Sequence, residues 1–225
     1  MALKTLLLFS AFAWLALSFS TPRNAQDAPT AKTNQATYIG FTDTKYSVDT
    51  WAGVPYAKPP LAALRLQHPQ PYDAHGTIQS QTYGHRCFEI GKGISLGEPT
   101  GETSEDCLVL NIYAPSKVQR SKRWHHPIPP YPVLVYSHGG GFNQGSGNDY
   151  KGQSLVNYSV ELKSPVIVVT VNYRLSFLGF SGSSQLFPKE SEAANSLITS
   201  WDRCHRQQCL ESWSPRSAIG FSMGS

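Results

Sequence analysis

Three consecutive glycines follow an apolar stretch in this sequence, and residues of these types in this order can bind a negatively charged oxygen. The segment is VLVYSHGGGF, residues 133–142, in which His138 precedes Gly139, Gly140 and Gly141. Because glycine has no Cβ, the backbone can turn so that successive N–H groups point into one cavity. Fixed N–H donors stabilise the charge that a carbonyl oxygen gains during acyl transfer. The pattern therefore predicts an oxyanion hole, and a tight turn without a ligand is the alternative.

A second candidate for chemistry is GFSMGS at residues 220–225, where Ser222 has the GxSxG spacing of a nucleophile elbow. That motif places a serine on a sharp turn between a strand and a helix. A serine needs a general base to act as a nucleophile at neutral pH, and in hydrolases with this motif the acid and the histidine follow the serine. All seven histidines precede Ser222. We therefore expect these residues alone to be inactive or nearly so, and a chance match at Ser222 is the alternative.

The N-terminus has the organisation of a secretory signal peptide over residues 1–20. A lysine at position 4 precedes the apolar run TLLLFSAFAWLAL, and small residues follow, with cleavage expected after Ser18 or Ser20. The run is shorter than the roughly 20 residues that a membrane-spanning helix needs, so no stable membrane anchor is expected. We predict a secreted, extracellular protein, and the sequon at Asn157 is consistent with glycosylation there.

The four cysteines are interpreted for an oxidising compartment. Cys87 and Cys107 enclose a glycine-rich loop, which a disulfide could close at an entropic gain of about 3 kcal/mol. Cys204 and Cys209 flank His205, but this spacing matches no standard zinc pattern. No metal and no other cofactor is predicted.

Apolar periodicity predicts an α/β fold with a central, mostly parallel sheet. Strands are expected at residues 107–113, 133–136 and 166–172, and helices at residues 152–162 and 190–200. The last of these strands is β-branched throughout its centre, which suits burial on both faces. Alternation around Asp43 predicts an N-terminal β-hairpin, expected to decorate the edge rather than the core. Residues 21–36 are polar and lack apolar periodicity, which predicts a flexible leader.

Composition limits the partners that this chain can have. The formal net charge is +4 over 225 residues, without a long basic run that carries interleaved aromatics. Binding of nucleic acid is therefore not expected. Hydrophobic residues make up 40% of the chain, which is enough for a buried core.

Four segments in a fixed order resemble the type-B carboxylesterase/lipase family, whose members are cholinesterase-like α/β-hydrolases. They are WAGVPYA (51–57, followed by PP and LR), SEDCLVLNIY (104–113), HGGGF (138–142) and VTVNYRL (169–175, followed by LGF). The resemblance covers residues 37–195 and implies a partial α/β-hydrolase fold.

The resemblance also implies an activity, which is serine-dependent hydrolysis of small-molecule or lipid esters through an acyl-enzyme. Gly140 and Gly141 would supply N–H groups to the oxyanion hole. The amide of Met223 would join them if Ser222 is the nucleophile.

Two structural pairs are implied by the same resemblance. Cys87 and Cys107 would form a disulfide that the family has near its N-terminus. Arg65 and Glu105 would form a buried ion pair, whereas the residues by themselves favour two solvated charges.

The resemblance stops after Asn195. Residues 196–225 are rich in Arg, Gln, Trp and Cys and lack the family's next helix, so we interpret them as a divergent tail that arises from a shifted reading frame or a retained intron. The predicted organisation is a signal peptide at 1–20, a leader at 21–36, the N-terminal part of an esterase domain at 37–195 and the tail at 196–225. Two alternatives to an enzyme are a non-catalytic secreted protein of this fold and an unstable gene-model fragment with exposed strand edges.

Overall fold

The structure is a computed structural model that describes residues 28–89, 102–116 and 131–181, together with the backbone of residues 219–223. These residues form two sheets and two α-helices. The strands are β1 (Thr30–Lys32), β2 (Ala36–Ile39), β3 (Phe41–Asp43), β4 (Val48–Pro55), β5 (Gly76–Gln79), β6 (Val109–Pro115), β7 (Val133–Ser137), β8 (Ile167–Val171) and β9 (Ile219–Met223). The helices are α1 (Gln153–Glu161) and α2 (Ser176–Phe180), and short 3-10 turns cover Ala62–Leu64 and Gly147–Asp149.

The larger sheet has six strands in the order β3-β4-β6-β8-β7-β9. β8, β7 and β9 are mutually parallel, whereas the pairs β3/β4, β4/β6 and β6/β8 are antiparallel. The sheet is therefore mixed rather than mostly parallel as the sequence predicted. A continuous apolar run reports burial on both faces and carries no information on the direction of the neighbouring strands.

The predicted hairpin forms from β3 and β4 and lies at the edge of the larger sheet, where β3 is the terminal strand, but β4 belongs to the core. β4 pairs with β6 from Val48 opposite Pro115 to Pro55 opposite Val109, with an irregularity between Trp51 and Val54. The Trp51 side chain is buried, and its Nε1–H donates to the carbonyl oxygen of Tyr38 at 3.3 Å. An eight-residue strand buries enough apolar surface to belong to the core, so the expectation that the hairpin lies outside the core was wrong for β4.

A second, three-stranded sheet has the order β1-β2-β5. β1 lies inside the segment for which a flexible leader was predicted, and Thr30 to Lys32 pair with Ile39 to Thr37 of β2. A strand of three residues is too short to show periodicity in the sequence. Ordered structure therefore begins before residue 37.

α1 covers one face of the larger sheet and lies within the predicted helix 152–162. Val156 is fully buried in a cluster with Val48, Tyr113 and Val168. A Cβ on Gly152 would come within 2.6 Å of the Tyr113 ring, so glycine allows the start of the helix to approach the sheet closely. The helix predicted at residues 190–200 lies outside the described residues. None of the helices described here is long and apolar enough to cross a membrane.

A disulfide joins Cys87 and Cys107 across a sequence separation of 20 residues. Both cysteines are buried in the main core cluster. The backbone beside the bridge is also paired, because the Arg86 N–H donates to the Glu102 carbonyl at 3.1 Å and the Ser104 N–H donates to the Arg86 carbonyl at 2.9 Å. The ends of the enclosed loop are therefore fixed by a covalent bond and by two hydrogen bonds.

Replacing both Cys87 and Cys107 with alanine should lower the free energy of unfolding by about 3 kcal/mol, because a 20-residue loop is no longer closed in the unfolded chain. Urea unfolding followed by tryptophan fluorescence measures this loss. Reduced wild-type protein is the matched control and should unfold at the same urea concentration as the double variant. A loss below about 1 kcal/mol would show that the bridge adds little to the paired backbone beside it.

Candidate active site

The glycine run begins where β7 leaves the sheet. β7 is parallel to β8 on one side and to β9 on the other, so the carboxyl ends of the three strands lie at the same edge. Ser137, the last residue of β7, is opposite Val171 of β8 and Met223 of β9. Ligands of α/β sheets bind outside the carboxyl ends of such strands. The fold thus places the glycines where a site is expected.

The backbone of the glycine run adopts conformations that favour glycine. Gly140 has a φ of 126° and Gly141 a φ of 59°. A Cβ on Gly140 would overlap the carbonyl oxygen of Gln144, whereas a Cβ on Gly141 would meet no described atom within 4 Å. The shape of the loop therefore requires glycine at position 140 and leaves space for a small side chain at position 141.

The carbonyl group of Gly140 faces into the turn. It accepts the N–H groups of Asn143 and Gln144 at 3.1 and 3.2 Å. The described peptide bonds are all trans, and the N–H of a trans peptide points opposite to the carbonyl of the same peptide. The Gly141 N–H therefore points out of the turn.

The buried His138 side chain packs against the start of the glycine run. Its ring is buried and stacks on Tyr173, with centroids 4.4 Å apart and planes 16° apart. The Tyr173 hydroxyl donates to the His138 carbonyl oxygen at 2.7 Å. Burial lowers the pKa of His138, so the ring is neutral at neutral pH and its Nδ1–H can donate to the Gly139 carbonyl oxygen at 3.0 Å. The N–H of Gly140 belongs to the peptide of that carbonyl and points away from the His138 ring.

The two glycine amides are thus left available for a ligand. In the described part of the chain, neither the Gly140 N–H nor the Gly141 N–H donates to a protein acceptor. Gly140 is half-buried and Gly141 exposed. Two adjacent donors of this kind can hold one anionic oxygen.

Asn172 is a buried residue of this site to which sequence reasoning assigned no role. Its Oδ1 accepts the Ser146 hydroxyl at 3.0 Å and the Gly147 N–H at 2.8 Å, and its Nδ2 donates to the His85 carbonyl at 2.9 Å. It therefore fixes the segment after the glycine run to the segment before Cys87. The sequence signal that could have identified Asn172 is its position directly after a β-branched strand. A side-chain amide at a buried position needs hydrogen-bond partners.

The structure places Ser222 next to β7 but not on a turn. Ser222 is in register with Tyr136, and β9 continues to Met223. The sequence pattern called for a sharp turn at the serine, whereas the described backbone is extended there. Met223 lies opposite Ser137, so the backbone of both residues approaches the edge from which the glycine loop emerges.

The ion pair implied by family resemblance is present, but it is not buried. Arg65 Nε lies 2.8 Å from Glu105 Oε2, and 52% of the arginine side chain is exposed. Arg65 directly follows the 3-10 turn at the surface, so its charge stays largely in water. A pair of this kind contributes about 0 to 1 kcal/mol, and the expectation of a buried bridge was wrong.

The remaining predicted residues lie away from the glycine loop or outside the described residues. Asn157 is half-buried on α1, where its Nδ2 donates to Glu161 Oε1 at 2.8 Å. Cys204, His205 and Cys209 fall outside the described residues, as do residues 1–20, for which a signal peptide was predicted. Among the residues that are described, no group of three His, Cys, Asp or Glu side chains could hold a metal ion.

Comparison with known proteins gives similarity to one family. A family model described as "Carboxylesterase family" matches residues 27–188. Lipase 1 of Geotrichum candidum is 30% identical over an aligned length of 199 residues, and the match covers 77% of this chain and 34% of the lipase. Liver carboxylesterase B-1 of Rattus norvegicus is 35% identical over an aligned length of 153 residues, and the match covers 64% of this chain and 25% of the esterase. The chain thus spans about a third or less of the length of these curated relatives.

Solved structures show the same likeness in the fold. The structure of EstA from Aspergillus niger superposes with a TM-score of 0.69 at 26% sequence identity, and the match covers 90% of this chain and 37% of EstA. A PNB esterase superposes with a TM-score of 0.70 at 28% identity, over 87% of this chain and 38% of that enzyme. The predicted α/β-hydrolase fold is confirmed as a partial one.

Substituting alanine at Gly140 and at Gly141 should have unequal effects on stability. Gly141→Ala should cost about 1 to 2 kcal/mol, because alanine can adopt the left-handed conformation with only a moderate penalty. Gly140→Ala should cost at least about 3 kcal/mol, because the new Cβ overlaps a backbone oxygen. Urea unfolding of the two variants measures the difference, and equal losses would contradict the loop conformation described here.

Proposed function

Because this chain belongs to the carboxylesterase family, we propose that it carries the oxyanion-binding part of a serine hydrolase of carboxylic esters. The substrate class is a small-molecule or lipid ester, and the reaction passes through an acyl-enzyme. The curated relatives are named lipases, cholinesterases and carboxylesterases, which supports ester chemistry without choosing among alcohol or acyl groups.

The observation that carries this proposal is the outward direction of the Gly140 and Gly141 N–H groups. The carbonyl oxygen of an ester that lies in front of them would accept both hydrogen bonds. As a nucleophile adds to the carbonyl carbon, the oxygen becomes negatively charged and both bonds strengthen. The loss of one such donor typically raises the barrier by about 2.7 to 4 kcal/mol.

We assign the role of nucleophile to Ser222 and that of a third oxyanion donor to the Met223 amide. Support comes from β9, which is parallel to β7 and ends at the same sheet edge as the glycine loop. The general base does not come from His138, because that ring is buried beneath the loop against Tyr173. In hydrolases with the GxSxG motif the histidine follows the serine, and no histidine follows Ser222 in these 225 residues, so the proposal places the base outside them.

The proposal includes the route and organisation of the protein. Residues 1–20 act as a signal peptide, the esterase part extends to Asn195, and residues 196–225 are a divergent tail that ends in the Ser222 motif. The protein is secreted, and Asn157 carries a glycan. The buried disulfide between Cys87 and Cys107 suits an oxidising compartment.

A tetrahedral anion should bind to the two amides. Monomethyl butylphosphonate resembles the charged intermediate of ester hydrolysis, and titration into the 15N-glycine-labelled chain should shift the Gly140 and Gly141 amide resonances. Dimethyl butylphosphonate has the same tetrahedral phosphorus centre with one more methyl group and no charge, so it is the matched control and should leave both resonances in place. If the anion moves neither resonance at concentrations up to about 100 mM, which corresponds to a very weak affinity, the oxyanion assignment is wrong.

Hydrolysis of p-nitrophenyl butyrate tests the assignment of the base. We expect the 225-residue chain to hydrolyse this ester no faster than its Ser222→Ala variant, because an unassisted hydroxyl is a poor nucleophile. Labelling with a fluorophosphonate should fail for the same reason. Hydrolysis or labelling that Ser222→Ala abolishes would show that these residues already contain a base.

A further inference from the structure

Three charged residues form a cluster beneath the glycine loop, and the proposed reaction does not use any of them directly. We name Arg86, Glu89 and Asp149 the Arg86 cluster. The Arg86 guanidinium donates from Nη2 to Glu89 Oε1 at 2.6 Å, from Nε to the same oxygen at 3.2 Å and from Nη1 to Asp149 Oδ1 at 2.6 Å. The Arg86 and Glu89 side chains are 2% and 3% exposed. Such burial requires that the charges compensate one another.

Arg86 remains charged in this environment. Burial alone would lower its pKa, but the hydrogen bonds and charges of Asp149 and Glu89 outweigh burial, and the pKa is raised. Its backbone is also fixed, because it pairs with residues 102 and 104 and precedes the disulfide at Cys87. The guanidinium is therefore a rigid, permanently charged support for Glu89.

Glu89 connects this support to the glycine loop. Its Oε1, which already accepts from Arg86, also accepts the Gly145 N–H at 3.2 Å. Its Oε2 is buried and accepts from no described residue, so each hydrogen bond between the carboxylate and the described part of the chain is made by Oε1. The side chain thus reaches the loop through a single hydrogen bond.

Gly145 in turn fits against the start of the glycine run. It has a φ of 107°, and a Cβ there would press on the His138 ring and on the Gly139 carbonyl oxygen. The Gly139 carbonyl belongs to the same peptide as the Gly140 N–H. A shift of Gly145 would therefore be passed through a close backbone contact to the first oxyanion donor.

We propose that Glu89, held by Arg86, is a positioning residue that fixes the direction of the Gly140 and Gly141 N–H groups through Gly145. The inference rests on the proposed function, since positioning matters only if these amides bind an oxyanion. The carboxylate itself does not touch the substrate. Its negative charge near the developing oxyanion is offset by the Arg86 guanidinium, to which it is directly bonded.

Two substitutions separate the reach of Glu89 from its charge. Glu89→Asp keeps the charge beside Arg86 but withdraws the oxygen from Gly145 by one methylene. Glu89→Gln keeps an oxygen that can accept the Gly145 N–H but removes the charge. If Glu89 acts by positioning, Glu89→Asp should lose binding of an anion to the glycine amides and Glu89→Gln should retain it. A purely electrostatic role of Glu89 predicts the reverse.

The readout is the binding of monomethyl butylphosphonate together with the glycine amide resonances of the free chain. Glu89→Asp should weaken binding by about ten-fold or more, displace the Gly140 and Gly141 resonances and speed hydrogen exchange at the Gly145 N–H. Glu89→Gln should bind within about three-fold of the wild type. Glu161→Asp is the matched control, because it shortens an exposed carboxylate on α1 outside the Arg86 cluster, and it should leave the affinity within about two-fold.

Each outcome decides the proposal. Wild-type affinity and unmoved resonances in Glu89→Asp would overturn it, as would a Glu89→Gln variant that is as weak as Glu89→Asp. If Glu89→Asp does not fold, a Glu89→Gln variant that binds more than about three-fold more weakly than the wild type still overturns the proposal. If Glu89→Gln does not fold, wild-type affinity in Glu89→Asp does so. If the wild type binds no phosphonate, the proposed function fails, while displacement of the free Gly140 and Gly141 resonances in Glu89→Asp still tests the connection through Gly145.

Discussion

The direction of one carbonyl group, that of Gly140, determines the arrangement of the candidate site. This oxygen turns inward to accept two N–H groups of its own loop, and the planarity of the peptide then turns the next N–H outward. An L-residue with a side chain at this position would collide with Gln144. The Gly140 and Gly141 N–H groups are therefore available because the turn is one that only glycine can make at position 140. The turn lies at the carboxyl edge of the sheet because β7 ends there.

Buried polar groups, rather than apolar packing alone, hold this turn in place. The Tyr173 hydroxyl binds the backbone before the glycines, and the Asn172 carboxamide binds the backbone after them. Both residues directly follow β8, which is buried along its whole length. Hydrogen bonds of this kind are costly to leave unmade in a low-dielectric interior. These hydrogen bonds therefore attach the partly exposed glycine loop to the buried sheet.

The sequence was informative wherever a pattern is local. The strand at Ile167–Val171 and the helix at Gln153–Glu161 follow from β-branched content and from periodicity, and the glycine run predicts a turn with positive φ angles, which Gly140 and Gly141 have. Relations between distant segments were not predictable in the same way. The antiparallel neighbours of β6, the exposure of Arg65 and the contact of Glu89 with Gly145 depend on register and on three-dimensional packing, about which a linear pattern carries no information.

The order of strands in the larger sheet has a consequence for synthesis of the chain. β3, β4, β6, β8 and β7 are contiguous in space and all precede residue 172, whereas β9 is added beside β7 alone. A chain that is synthesised from its N-terminus can therefore form the glycine loop, the disulfide and the buried Arg86 some fifty residues before β9, which carries Ser222, is made. β9 therefore pairs with a β7 strand whose other neighbours are already in place, so a change in the sequence of β9 need not disturb the folding of the five earlier strands.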